Sequence, residues 1–342
     1  MKFISGCRAI AQGALDAGVR FYAACPNDPV SELAETMALE LPKLGGKFIQ
    51  MEDESAALAA AIGASSVGSK ALVATSSPGF TLLQEHISYA GLNEVPVVIV
   101  NAMQYGPSTG LSSIPMQQEV FQSRFGANGD YPVAVLTPSS PKEAYDMTVY
   151  AFNLSESHRI PVVILIDQMI ATMKETFDFR ENPRLLTRIP PRHHFLLTGL
   201  PSDLEGFPTY DPREIKQQQQ RLFQKYLSIE RMYSKFELED ANVAVIAYGT
   251  TSRAARAAVK MARGKKHKAG FFKLMTLWPF PREELIRLSK KVKRMIIAET
   301  CTSEQLANII KSCCLGECNY TLVKRFDGNL LTPKEIYDGI TA

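Results

Sequence analysis

Across the first 175 residues, short continuous apolar runs alternate with longer segments whose polar positions recur at helical spacing. Residues 20–24, 48–51, 70–75, 95–101, 131–136 and 161–167 read as strands. Residues 9–17, 30–41, 55–67, 79–91 and 141–155 read as the helices between them, several closed by Gly or Pro. Strands alternating with helices predict βαβ units around a parallel sheet. Uninterrupted runs such as 95–100 fit strands covered on both faces.

The pattern breaks at about residue 175. Residues 176–212 hold six prolines without a clear period, and 214–237 form a polar segment expected to be helical. A second α/β pattern then begins. Strands are expected at 243–248, 269–274, 295–298 and 320–324, with helices at 251–262, 282–290 and 303–311. The expected division is 1–180, a connecting segment with a polar helix at 181–239, and a smaller α/β domain at 240–342.

Composition narrows the function classes. A chain of 342 residues is long enough for about two domains of roughly 150 residues each. The 38 basic and 35 acidic residues leave a net charge of +3, which gives no electrostatic case for nucleic acid or an anionic membrane surface. No apolar run approaches the roughly 18 residues of a membrane span, and residues 1–6 lack the apolar stretch of a signal peptide. A cytoplasmic location is the expectation. The six cysteines are too few for a secreted disulfide framework, and Cys313-Cys314 with Cys318 matches neither a zinc nor a ferredoxin spacing. Arg192-His193-His194 makes an equally poor zinc motif.

Candidate chemistry gathers after the strands. Glu52-Asp53-Glu54 opens an Ala-rich helix, either as acids complementing the helix dipole or as a carboxylate for proton chemistry. Thr75-Ser76-Ser77-Pro78-Gly79 sits between a strand and a helix, where free N–H groups can meet a ligand, although the same residues also cap helices structurally. Cys25-Pro26-Asn27-Asp28-Pro29, Gln104 and Gly106-Pro107-Ser108-Thr109-Gly110 also follow strands. In a parallel sheet all of them converge on one rim, where ligands of open α/β sheets bind.

Together these segments resemble the α subunit of 2-oxoacid:ferredoxin oxidoreductases, of the 2-oxoglutarate and 2-oxoisovalerate types, over nearly the whole chain. The matching stretches are Phe48-Ile49-Gln50-Met51-Glu52-Asp53-Glu54, Ser76-Ser77-Pro78-Gly79, Gly106-Pro107-Ser108-Thr109-Gly110, Gly129-Asp130, Tyr248-Gly249 and Thr276-Leu277-Trp278-Pro279-Phe280-Pro281. The resemblance implies a parallel-sheet, pyrimidine-type thiamine diphosphate-binding domain and a second, smaller α/β domain like the transketolase C-terminal domain. It implies shared thiamine diphosphate, with Mg²⁺ and the diphosphate held by a β-type partner and [4Fe-4S] clusters on other chains. Gamma and ferredoxin-like delta subunits, ferredoxin and coenzyme A are the further partners implied. The chain itself has no Gly-Asp-Gly run followed by Asn, the usual metal–diphosphate anchor.

By the same resemblance Glu54 is the catalytic glutamate, hydrogen-bonding the aminopyrimidine and favouring the tautomer that takes the thiazolium proton. Ser76, Ser77, Pro78 and Gly79 would join it in holding the cofactor. The substrate pocket would comprise Pro26, Asn27, Asp28, Gln104, Ser108 and Thr109, with Arg124 as a relocated carboxylate partner. Two positions depart from the family pattern. Asp28 stands where the family carries a substrate-contacting Thr, and Gln104 where it carries a carboxylate-binding Arg. A neutral Gln cannot replace an Arg–carboxylate fork. The expectation is an oxidoreductase subunit of non-standard specificity. The alternatives are a thiamine diphosphate-dependent paralogue acting on a different, neutral substrate, or a non-catalytic structural or regulatory subunit.

Overall fold

The computed structural model describes residues 1–179, 197, 211–314 and 318–342. The Arg192-His193-His194 motif and most of the proline-rich connection lie outside them. The first half runs β1 (Lys2–Ser5), α1 (Gly6–Ala17), β2 (Phe21–Ala24), α2 (Ser31–Glu40), β3 (Lys47–Gln50), α3 (Glu54–Ser66), β4 (Ala71–Ser76), α4 (Ser77–Leu82), α5 (Gln84–Leu92), β5 (Val97–Tyr105), β6 (Leu111–Pro115), α6 (Gln122–Phe125), β7 (Ala134–Leu136), α7 (Pro141–His158), β8 (Pro161–Asp167), α8 (Gln168–Thr172) and β9 (Lys174–Phe177). The second half runs α9 (Pro212–Ser228), β10 (Tyr233–Phe236), β11 (Val243–Ala247), α10 (Thr251–Gly264), β12 (Ala269–Leu274), β13 (Thr276–Trp278), α11 (Arg282–Lys291), β14 (Arg294–Glu299), α12 (Gln305–Cys314), β15 (Asn319–Lys324) and α13 (Pro333–Thr341).

The larger sheet has the order β13-β7-β8-β5-β4-β2-β3, with β6 paired to β5. Its neighbours from β7 to β3 are parallel, as expected. Because β3 and β4 lie on opposite sides of β2, the connections diverge there and open a crevice at the carboxyl ends of β2 and β4. The second sheet has the order β10-β12-β11-β14-β15, with only β10 antiparallel.

Alternation along the strands sorts the core. Tyr22, Leu72, Val98 and Val162 face α1 and α7. Ala23, Val73, Ile99 and Val163 join a cluster that continues through Ile246, Phe272 and Ile297 of the second sheet. The two sheets therefore share apolar packing. Strand β13, for which no element was expected, pairs antiparallel with β7 of the first sheet although its sequence falls within the second unit.

Several elements differ from expectation. The polar helix ends at Ser228, and Tyr233–Phe236 is a strand because its backbone pairs with β12. The helix expected over 79–91 is two helices, divided at Leu83. Strands β1 and β6 and helices α8 and α13 add to the expected set.

Candidate cofactor and substrate site

The acidic triplet separates into three roles. Asp53 caps α3, its Oδ1 accepting the Ala56 N–H at 2.6 Å, while Glu52 is exposed. Glu54, the first residue of the helix, is turned inward and only 8% exposed. Asn27, after β2, donates from Nδ2 to Glu54 Oε1 at 3.1 Å. The Ser76 hydroxyl, at the end of β4, donates to Asn27 Oδ1 at 2.7 Å. The side chains beyond β2 and at the end of β4 thus form a relay to the carboxylate that opens α3. Gly79 makes room for it: a Cβ there would lie 2.4 Å from Glu54 Oε1 and 2.2 Å from Thr75 Oγ1.

A second polar group lies beside the first. Ser77 Oγ accepts the Gln104 N–H at 2.9 Å and also hydrogen-bonds Glu119, which accepts from Asn101 Nδ2. Burial pushes the Glu119 carboxyl up to about 7, against the opposing effect of the Ser77 and Asn101 bonds. Glu119 did not stand out in the sequence. It becomes buried only because the β5–β6 hairpin folds the chain back over β5.

Gln104 is 2% exposed. Its Nε2 donates to the Thr109 carbonyl at 2.8 Å, which fixes the amide orientation, and its Oε1 has no hydrogen-bond partner. Asn101 Oδ1 is likewise buried without a partner. Ser108 and Thr109 form the exposed turn after Gly106, whose N–H is held by Gln118 Oε1 at 3.1 Å. Gly110 has φ +50°, and a Cβ there would strike the Tyr105 carbonyl. Pro26 and Asp28 are exposed. Asp28 Oδ1 accepts from the Ser31 hydroxyl at 2.6 Å, placing a carboxylate at the start of α2.

Arg124 does not join this group through any contact the structure shows. Its guanidinium lies 5.3 Å from the Tyr131 ring, 5.3 Å from Phe125 and 5.0 Å from Tyr226 of α9. The short helix α6 directs it into this aromatic enclosure, where cation–π contact serves the packing of α9.

Tyr248-Gly249, singled out from sequence, lies at the contact between the two sheets. Gln117 donates to the Tyr248 carbonyl at 2.9 Å and accepts from the Thr251 hydroxyl at 2.9 Å and from the Thr300 N–H at 3.2 Å. Asp167, at the end of β8, accepts the Thr250 N–H at 3.0 Å and the Ile170 N–H at 3.0 Å, and burial raises its carboxyl. Trp278 Nε1 donates to the Val120 carbonyl at 2.8 Å, tying β13 to the residue after Glu119.

A parallel sheet with a buried, amide-held carboxylate at its switch point, packed against a second α/β sheet, makes a two-unit α/β chain whose candidate site lies on the carboxyl rim of the larger sheet. The chain matches the family described as pyruvate flavodoxin/ferredoxin oxidoreductase, thiamine diphosphate-binding, over residues 12–234, and pyruvate:ferredoxin oxidoreductase core domain II over 241–336. It is 38% identical to a 2-oxoglutarate synthase subunit KorA of Archaeoglobus fulgidus, covering 99% of this chain and 98% of that one. It is 32% identical to a ketoisovalerate oxidoreductase subunit VorB of Methanothermobacter thermautotrophicus, covering 99% and 97%. Among solved structures, a 2-oxoglutarate:ferredoxin oxidoreductase from Magnetococcus marinus superposes with a TM-score of 0.89 at 26% identity, covering 99% of this chain and 64% of that one. A split-gene transketolase shares the fold at a TM-score of 0.65 and 14% identity. The protein belongs to the 2-oxoacid:ferredoxin oxidoreductase family, as an alpha-type subunit.

Proposed function

We propose that this chain presents Glu54 to the pyrimidine ring of thiamine diphosphate in a complex that oxidatively decarboxylates a 2-oxoacid, or runs the reverse reaction, and that its substrate carries an uncharged side chain. The observation supporting the first part is the Ser76–Asn27–Glu54 relay on the carboxyl rim of the sheet. The residues fit the cofactor: a buried carboxylate at a helix start, with glycine opposite it, suits a flat ring bearing a hydrogen-bond donor.

Bound there, thiamine diphosphate supplies the electron sink for decarboxylation. Asn27 orients the Glu54 carboxylate, and Glu54 holds a proton at the edge of the ring. Ser77 fixes the Gln104 backbone, and Gln104 directs Oε1 as an acceptor. A β-type partner would hold the diphosphate and Mg²⁺, and other chains would carry the [4Fe-4S] clusters. Gamma- and delta-type subunits, ferredoxin and coenzyme A complete the proposed complex. Among the described residues, no group of three or more His, Cys, Asp or Glu is arranged to hold a metal ion.

The proposed specificity rests on Gln104 and Asp28. With an unpaired acceptor at Gln104 and an exposed carboxylate at Asp28, the chain offers a substrate carboxylate no cation in this group. The test is a 2-oxoacid screen on the co-purified complex with thiamine diphosphate and coenzyme A. Greater turnover with uncharged or donor-bearing side chains than with 2-oxoglutarate is expected. A preference for 2-oxoglutarate would refute the specificity, and no turnover of any 2-oxoacid would refute the catalytic reading.

A further inference from the structure

A cavity of about 630 Å³ lies between the two α/β units and shares no lining residue with the Glu54 relay. The first turns of α7 and α10 border it, with β9, β10 and β12 completing its wall. Five cationic side chains line it, Lys142, Lys235, Arg253, Arg256 and Lys273, against two carboxylates, Glu143 and Glu175. With the Asp146 and Glu284 carboxylates that pair with Lys142 and Lys235 counted, one positive charge is left over.

Most of these cations are anchored. Lys273 pairs with Glu143 and donates to Ser139 Oγ at 3.0 Å, and Arg253 meets Glu175 at 2.7 Å, so the ion pairs span the two units and stiffen the walls. Lys142 and Lys235 reach Asp146 at 3.1 Å and Glu284 at 2.8 Å. Arg256 differs. It has no carboxylate partner among the described residues, and its guanidinium lies 4.9 Å from the centre of the Phe236 ring.

An independent feature points to a ligand. Ser252 lines the cavity, is 3% exposed, and its hydroxyl has no hydrogen-bond partner. A buried hydroxyl left unpaired is costly, so its place is that of a group awaiting an acceptor. It lies in the first turn of α10, a helix of 14 residues. Phe177, Phe236 and Phe271 add apolar surface. A cavity of this size, part cationic and part aromatic, suits a nucleotide better than a bare anion.

We propose that this interunit cavity binds a nucleotide through its phosphates, with Ser252 and Arg256 as phosphate ligands and the Phe236 side of the cleft receiving the base. Because the site is separate from the Glu54 relay, it does not depend on the reading of that site. The experiment is titration calorimetry of the full chain with ADP, coenzyme A and inorganic pyrophosphate. Stoichiometric binding of ADP or coenzyme A is expected, with Kd raised at least ten-fold by Arg256→Ala and by Ser252→Ala and unchanged by Glu54→Gln. Relative affinity for ADP and coenzyme A distinguishes a simple nucleotide from a larger nucleotide-bearing cofactor. Absence of binding, binding unaffected by both cavity variants, or pyrophosphate binding as tightly as ADP and coenzyme A would overturn the proposal.

Discussion

Asn27 Nδ2 donates to Glu54 Oε1 at 3.1 Å across two separate βα connections. The bond turns a helix-start acid into a directed one, since Glu54 would otherwise share the exposure of Glu52 and Asp53. Replacing Glu54 with Gln keeps the shape and removes the charge. In the assembled complex, Glu54→Gln should slow exchange of the thiazolium C2 proton of thiamine diphosphate by roughly 10²–10⁴-fold. Hydrogen–deuterium exchange followed by NMR measures this, and an undiminished rate would remove Glu54 from the proposed role.

Gly79 tests the same carboxylate by geometry alone. The Cβ of Gly79→Ala would lie 2.4 Å from Glu54 Oε1, so the carboxylate must move. A displacement on the order of 1 Å at a reacting group can cost about 100-fold in rate. A fall of that size in kcat, with the denaturation midpoint little changed, is expected. Full activity would show that Glu54 need not stay where the Asn27 bond holds it.

How much of this could be read in advance depended on what each residue's neighbours were. Strands β4, β5 and β8 stood out because both of their faces are covered, so their apolar runs are unbroken. Strands β1, β6 and β13 are three to five residues long and owe their conformation to distant partners, β9, β5 and β7. Asn27, Glu54, Ser76, Ser77 and Gln104, which the structure brings near one another, stood out in the sequence because each lies at or just beyond the carboxyl end of a strand in a parallel unit. Glu119 follows a hairpin, and nothing in its local sequence marks the burial it undergoes. Arg124 illustrates the converse: a charge near the right place in the chain, held by aromatic rings that come from α9 and from Tyr131.

Glu119 makes a prediction about pH. Its carboxyl, pushed up by burial from the ordinary 4.5 to about 7, is neutral in the folded chain over a range where the unfolded chain is ionised. The folded state then binds the extra proton, so stability declines as pH rises from about 4.5 to about 7 and levels off above. The shift corresponds to about 3 kcal/mol. Glu119→Gln is neutral throughout, so the variant should match the parent near pH 4.5 and exceed it by up to that amount at pH 8. Urea denaturation at both pH values reads the difference. Equal stabilities at pH 8 would mean that Glu119 ionises without penalty.

The pocket departures predict a change of specificity. Asp28→Thr removes an exposed carboxylate, and Gln104→Arg places a guanidinium where an acceptor now stands unpaired. Together they should raise kcat/KM for 2-oxoglutarate by about ten-fold or more, the scale of one charge-assisted hydrogen bond, without a matching gain for 2-oxoisovalerate, whose side chain is uncharged. Steady-state assays of the complex with both acids test this, and no gain with 2-oxoglutarate would count against these two positions as the source of specificity.

Gln117 joins the two sheets, and its loss should separate stability from chemistry. Its side chain serves the Tyr248 carbonyl, the Thr251 hydroxyl and the Thr300 N–H, all buried where β11 and β14 end against the first unit. Gln117→Leu keeps most of the volume but strands those three groups, and an unsatisfied buried polar group costs about 1–3 kcal/mol. The losses are coupled because the groups share one partner, so a total of roughly 3–5 kcal/mol is expected rather than the full sum. The variant should show faster hydrogen exchange at Tyr248 to Ser252 and at Thr300, while amides in α1 and α7, which pack on the opposite face of the larger sheet, keep their protection. Uniform loss of protection across both units would instead mean that the chain unfolds as one body, with Gln117 a general contributor to stability rather than the junction's own.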